Sequence, residues 1–513
     1  MPTLTAVDVL GIQRFVFASR RLRSVVGASW LVKQATEKGP DSALAELNAE
    51  DKAVLCAGGN LVLLFENRDE ARRFAAEYSR WILDHTPGLE VVIEHRDFAP
   101  GEFAAALRRL FGDLDSAKAE RSPSAPLLGL SVTAVCRETG LPASTTGRDG
   151  APVSTMIANS DRDDVIENAT TRWKELLRPD DHGEPRFPID LEKLGATRGD
   201  TSMIGVVHID GNGIGQVVTK WLDAVKGSDK EVRQQYQDLA KGINALGYAA
   251  MEAIVRRVQD GVDTDGDKLR FGAADTNDLR FDVHRIGGEF SLPLRPVLLG
   301  GDDLTFICDG RIALDLAATG LRALRKAAEE SPIEGLRNVG ACAGVAIVHS
   351  HSPFHRAVTQ ATKLCESAKV KARDSNAPLA LDWHIGETRP GESIDDIRTR
   401  QYKNAAGGLT LRPYLVAGPL GWEWLERDLL GALRKDWAAS RNKVKALPRL
   451  ARDGPLEVMR NLEAWRVLEK KNLSLPSPIE ANGFSASGNT PLLDAVELFD
   501  LHLACIASPE VSR

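Results

Sequence analysis

Short apolar runs recur along the chain, separated by stretches in which apolar residues fall every three or four positions. Residues 3–9 (Thr-Leu-Thr-Ala-Val-Asp-Val) predict a strand, and Ile12 to Thr36 a helix with Phe15, Leu22, Val26 and Leu31 near one face. Strands at 53–56 and 61–65, joined through Gly58-Gly59-Asn60, follow, then a helix at 70–83 and a strand at 89–94. The same alternation returns downstream. An apolar strand at 203–210 leads into a helix from Ile214 and a helical, polar insertion to about Phe290. Two apolar runs at 297–308 then flank Gly300-Gly301-Asp302-Asp303, which predicts a hairpin. A helix at 312–330, a strand at 340–349 and a helix at 354–373 complete the set.

Strand, helix, strand, strand, helix, strand is the ferredoxin-like order, so the pattern predicts an α+β protein with that unit duplicated. Residues 1–97 form the first unit, 98–200 a connecting region, 201–390 the second unit and 391–513 a helical region. Asp8 then corresponds to Asp210, and Gly58-Gly59-Asn60 to Gly300-Gly301-Asp302. The first copy has lost the paired carboxylates and reads as a nucleotide-binding or structural partner. In the connecting region a helix is expected at 103–114, a strand at 128–136 and a loop at 147–164. Trp422, Trp424, Trp437 and Trp465 are expected in the core of the last region. The basic run from Arg434 to Arg452 reads first as a solvated helix face, second as a contact for an anionic polymer.

Gly and Asp are ordinary turn formers, so Gly-Gly-Asp-Asp alone is equally a turn and a metal site. Two carboxylates about 4 Å apart repel by roughly 4 kcal/mol at an effective dielectric near 20, a cost that a divalent cation removes. The second stretch, Ile209-Asp210-Gly211-Asn212-Gly213-Ile214-Gly215, tips the balance, because it ends a strand on an acid and opens a helix through glycines. Carboxylates from two strands are what a two-metal phosphoryl-transfer site requires. Gly211, Gly213 and Gly215 would let backbone N–H groups approach a triphosphate, and Gly300 and Gly301 leave room beside the acids.

A formal charge of -7 over 513 residues argues against a general nucleic-acid coat. Six scattered cysteines with no C-x-x-C pair argue against a zinc ribbon and give no disulfide framework. No signal peptide or membrane span is visible, so a cytoplasmic protein without membrane contact is expected. His349, His351 and His355 follow a strand with no cysteine near and read as loop residues.

Asp210-Gly-Asn-Gly-Ile-Gly215, Arg295-Pro-Val-Leu-Leu-Gly-Gly-Asp-Asp-Leu304, Gly344-Val-Ala-Ile-Val-His-Ser-His-Ser-Pro-Phe354 and Asp382-Trp-His384 together resemble the second palm domain of the large polymerase–cyclase subunit of type III CRISPR effector complexes. Residues 4–31, with Gly11-Ile-Gln-Arg-Phe15 and Gly27-Ala-Ser29, look like its first palm, and Cys136-Arg-Glu-Thr-Gly-Leu-Pro-Ala143 like its linker. The chain departs from large members in having no His-Asp dipeptide and no zinc element between the palms, so cleavage of DNA by a His-Asp centre is not expected. Asn212 stands where many relatives carry another acid, and is left out of the metal set.

The resemblance implies a nucleotidyltransferase that joins ATP 3′ to 5′ into a cyclic oligoadenylate or cyclic dinucleotide for antiviral defence. Asp210 and Asp302 would bridge two Mg²⁺ (or Mn²⁺) ions, with Asp303 assisting and the Ile209 carbonyl as a further ligand. Lys369, in Ala368-Lys369, would reach the phosphates as a lysine does in GGDEF-type relatives, and Ser29 would bond a nucleotide held between the palms. A diguanylate-type or mixed-base cyclase, and a non-catalytic nucleotide- or RNA-binding scaffold, are the competing readings. RNA or a ribonucleoprotein as activator, and self-association, stay open.

Overall fold

A computed structural model describes residues 1–46, 53–57, 60–121, 132–195, 202–272, 279–389, 391–405, 407–469 and 473–505. Its first sheet is built from β1 (Thr3–Leu10), β2 (Ala53–Ala57), β3 (Asn60–Phe65) and β4 (Glu90–Asp97). The strands are antiparallel in the order β2-β3-β1-β4, the ferredoxin-like order. Helix α1 (Leu22–Thr36) and α2 (Arg68–His85) join them, and α3 (Phe103–Glu120) follows β4. Phe15, Leu22, Val26 and Leu31 are buried as their spacing predicted. The single helix expected over 12–36 is two pieces, because Ile12–Val16 ends before Leu22. The Ser19 hydroxyl accepts the Arg21 N–H there, offering the backbone an alternative to the helical bond. Gly58 and Gly59 lie outside the described residues.

The second sheet is larger. Strand β5 (Met203–Gly211) sits at its centre, with β6 (Leu294–Gly300), β7 (Asp303–Asp309), β8 (Ala341–His349), β9 (Leu379–Ile385) and β10 (Tyr414–Leu415) in the order β6-β7-β5-β8-β9-β10. Val206, Val207 and Ile209 of β5 are buried, which is why its sequence runs apolar without alternation. Helices α4 (Ile214–Ala224), α5 (Asp229–Gln259), α6 (Ala313–Glu329) and α7 (Phe354–Asp374) cover the sheet. A capping box of Ser228 and Glu231 starts α5. After it the chain makes small antiparallel strands, which the polar composition of 262–291 hid.

In the connecting region, residues 128–131 lie outside the described residues, and 132–136 hold only a bridge from Val135 to Pro142 instead of the expected strand. The expected loop at 147–164 contains a helix, Thr155–Ser160, and a second begins at Asp163. Ile157, Val165, Ile166 and Ala169 anchor these short helices among polar residues. A Cβ on Gly27 of α1 would lie 1.8 Å from the Ser160 carbonyl oxygen, so the helices touch where only glycine fits.

Beyond residue 391 the chain is mainly helical, but it does not stand apart. β10 pairs antiparallel with β9, and Trp422 meets Trp383 edge-on with centroids 5.7 Å apart. Trp422, Trp424 and Trp437 are buried, and Trp465 is half-buried against Trp437. The basic run is largely a solvated face, with Lys435, Arg441, Lys445, Arg449 and Arg452 exposed; within it Arg434 donates to carbonyls of Leu498, Phe499 and His502, and Arg441 and Lys445 pair with Asp500. Cys136, Cys308, Cys342, Cys365 and Cys505 are free and buried. No helix among the described residues is long and apolar enough to cross a membrane.

Candidate functional site

Gly300 pairs with Asp303, which leaves Gly301-Asp302 as a two-residue hairpin tip. Gly301 has φ +69, a conformation that L side chains rarely adopt. A Cβ on Gly247 of α5 would stand 2.1 Å from the Gly301 carbonyl oxygen, so the long helix fixes the tip by backbone contact. Gly247 gave no sequence signal, since a glycine inside a helix looks only unfavourable.

Strand β5 brings Asp210 beside this tip. Its neighbour Gly211 touches Asp302 so closely that a Cβ there would lie 2.5 Å from Asp302 Oδ2. Burial, then the charge of Asp210, pushes the carboxyls of Asp302 and Asp303 up to about 7. The side chain of Asp303 is 45% exposed, yet its Oδ1 is shut from solvent with no hydrogen-bond partner, so its access to the cleft is through the other oxygen. His208 Nδ1 lies 3.3 Å from that Oδ1 and 3.1 Å from Thr305 Oγ1. Burial lowers the His208 pKa, so the ring is neutral and does not discharge Asp303. Its place under the acids was not legible, because a lone histidine in an apolar strand reads as core.

Lys369, from α7, lies 2.5 Å from Asp210 Oδ2. Without a ligand its ammonium therefore neutralises the strand-end acid, where the sequence suggested phosphate. Ile209 is paired with Leu304 on one side and Ala343 on the other. Gly213 (φ +77) caps the start of α4 with no side-chain hydrogen bond, which leaves first-turn N–H groups free. Around Gly215 a Cβ would meet nothing within 4 Å. Asn212 donates through its side-chain N–H to Cys342 Sγ at 3.4 Å, and its Oδ1 is buried with no hydrogen-bond partner.

A cavity of about 650 Å³ opens between the two sheets, lined by Ser29, Val32 and Lys33 of α1, Arg172, Tyr248 of α5, and the hairpin from Leu298 to Gly301 with Asp303. Ser29 borders it but is occupied: its hydroxyl donates to the Val297 carbonyl and accepts from Arg172 Nη1 at 2.8 Å. It ties the first sheet to the hairpin strand. The first sheet keeps its own acid–lysine pair, Asp8 with Lys118 of α3 at 2.7 Å. His349, His351 and His355 lie at the end of β8, on the turn after it and at the start of α7.

Residues 203–377 match the family model for Cas10/Cmr2, second palm domain. That span is similar to a Cas10/Cmr2 second palm. The matched span takes in Asp210, Asp302, Asp303 and Lys369, whereas Ser29 and Arg172 lie outside it. Solved structures similar to the whole chain include the Csm1–Csm4 cassette in complex with AMPPNP (14% identity, TM-score 0.49, 98% of this chain and 69% of that one). They also include the same cassette in complex with cA4 (15%, 0.45, 97% and 70%) and Csm1 in T. onnurineus (14%, 0.47, 98% and 70%). No curated protein matches the chain.

Among the described residues no three His, Cys, Asp or Glu side chains are already gathered closely enough to hold a metal ion. The donors at this strand end fit one nonetheless. Asp302 and Asp303 are hard oxygen ligands whose charges the nearby Lys369 offsets less than burial and Asp210 oppose them, and Asp303 Oδ1 is an orphaned buried acceptor. A nucleotide's phosphates would complete such a set.

Proposed function

We propose that the protein is a divalent-metal-dependent nucleotidyltransferase that links ATP 3′ to 5′ and closes it into a cyclic oligoadenylate or cyclic dinucleotide. The reading is carried by the convergence of Asp210 with Asp302 and Asp303 at one strand end, inside the span that matches a Cas10/Cmr2 second palm. ATP as substrate follows from the resemblance to the type III CRISPR polymerase–cyclase subunit.

Two divalent cations bound with the nucleotide would activate the attacking 3′-hydroxyl and neutralise charge on the α-phosphate and pyrophosphate. Asp210, Asp302, Asp303 and the Ile209 carbonyl would hold them. The chain's other residues orient the triphosphate. The open start of α4, after Gly211 and Gly213 and beside Gly215, presents N–H groups and the positive end of a helix dipole. Lys369, which pairs with Asp210 across the strand end, would reach the phosphates of a bound nucleotide. Gly300 and Gly301 keep the hairpin clear of side chains, so the nucleotide can lie against backbone. The 3′-oxygen then forms the new P–O bond as the α–β anhydride breaks.

The test is incubation with labelled ATP and Mg²⁺, with and without RNA, followed by resolution of the products. Wild type is expected to release pyrophosphate and yield an oligoadenylate, and Asp302→Ala with Asp303→Ala to yield none. Product that persists in the double variant removes the site. Tight ATP binding without pyrophosphate release favours the scaffold.

A further inference from the structure

Beside the cavity between the sheets lie two guanidinium groups for which no carboxylate, among the described residues, is a hydrogen-bond or ion-pair partner. Arg172, from the connecting region, lines it; Arg295, near the start of β6, is 1% exposed. Among the described residues their hydrogen-bond partners are all neutral oxygens. Arg172 Nη1 donates to Ser29 Oγ and O at 2.8 and 3.2 Å, and Arg295 Nη2 donates to the Ala169 carbonyl at 3.0 Å. Nε of Arg172, and Nε and Nη1 of Arg295, are buried with no acceptor. Each guanidinium lies near an aromatic ring instead, Arg172 4.3 Å from the centroid of Trp173 and Arg295 5.9 Å from that of Phe187. Burial, and for Arg295 the neighbouring charge of Arg172, draw both below the usual arginine range, to about 10 and about 9. The charges of Glu37, which borders the same cavity, and of Glu175 act the other way on Arg172 without outweighing burial, and Glu37 pairs with Lys33 at 3.7 Å.

Burying one unpaired cation costs several kcal/mol, and two side by side add repulsion. Neutral side chains of similar volume would serve packing better. The arrangement makes sense for an anion that enters from the cavity. The same space runs from Arg172 to Gly300, Gly301 and Asp303, so the anion belongs to a molecule whose other end reaches the hairpin. A nucleotide has that shape. Joining two of them needs two phosphate sites, because the triphosphate under attack is met by α4 and Lys369.

We infer that Arg172 binds the 5′-phosphates of the nucleotide whose 3′-hydroxyl attacks, with Arg295 sustaining the positive potential behind it. The inference rests on the proposed function for the pairing of two nucleotides, but its anion site can be tested by binding alone. The probe is α,β-methylene-ATP, which cannot be transferred, titrated calorimetrically against the full chain beside adenosine.

Wild type is expected to bind two analogues. Arg172→Gln is expected to weaken one of them at least tenfold, leave the other, and bind adenosine as wild type does. Arg172→Lys should recover most of the loss. An Arg172→Gln variant that binds the analogue unchanged, or loses adenosine in the same proportion, overturns the inference; the second result is what a merely structural link through Ser29 would give. If the Gln variant does not fold, tripolyphosphate competition on wild type decides: displacement of both analogues supports the site, and of only one overturns it. A binding split without any oligonucleotide product would sink the proposed function and keep the anion site. Unchanged synthesis by Arg172→Gln would do the reverse.

Discussion

The tension in this molecule is held by two adjacent residues. Asp302 and Asp303 sit where burial and Asp210 raise their proton affinity to about 7. A carboxyl raised in the folded state leaves stability whole below the unfolded value near 4, and costs stability as pH climbs through 7. Asp302→Asn should therefore raise the melting temperature in chelator-treated protein above pH 7 and leave it unchanged near pH 4. Three pK units amount to ~4 kcal/mol, but water screens the partly open hairpin tip, so the expected gain is about 1–2 kcal/mol. Differential scanning fluorimetry across pH checks this, and a variant destabilised at pH 8 would contradict it. Gly211→Ala acts on the same contact by steric means, since its Cβ would meet Asp302 Oδ2 at 2.5 Å. Its product yield should fall at least tenfold while its melting point shifts by only a few degrees.

At the scale of elements, the duplication explains what each copy has kept. Lys118 and Lys369 are each the sixteenth residue of the helix that follows the fourth strand of their unit, counted from Phe103 and Phe354, and each pairs with the acid on the first strand. Only the second unit also has Asp302 and Asp303 across from that pair. Lys118→Ala is thus expected to cost at most ~1 kcal/mol of stability and leave product formation unchanged. Lys369→Ala should reduce product formation at least tenfold, measured as pyrophosphate release at saturating ATP. Much of this was legible in the sequence. Strand order, the hairpin and the acid near the end of β5 follow from period and turn chemistry, because those rules act over a few residues. What escaped depends on contacts distant in sequence. Gly247 matters only because the hairpin lands on it, and the Asp8–Lys118 pair only because two elements cross. The helices near Ile157 and Val165 were masked by polar neighbours, and the break after Val16 by a single serine hydroxyl.

In the whole molecule, the second sheet and the C-terminal helices share one core. Trp383 stacks with Tyr414 at 5.2 Å and meets Trp422 edge-on, and Arg412 donates to the Trp383 carbonyl at 3.2 Å. A boundary at 390 is natural from composition, since strand alternation stops there, but packing runs across it. A chain ending at residue 390 would expose Trp383 and the edge of β9, and should aggregate or lose its cooperative melting transition. A soluble, cooperatively melting fragment would contradict the shared core.

The central claim is that Asp210 from one strand and Asp302-Asp303 from a hairpin hold cations against a nucleotide. Electron paramagnetic resonance of Mn²⁺, titrated into the full chain with and without α,β-methylene-ATP, tests it most directly. Mn²⁺ is expected to bind tightly only when the nucleotide is present, and to lose at least tenfold in affinity in Asp302→Asn with Asp303→Asn. Equal Mn²⁺ binding by wild type and the double variant, with the nucleotide bound to both, would contradict the claim.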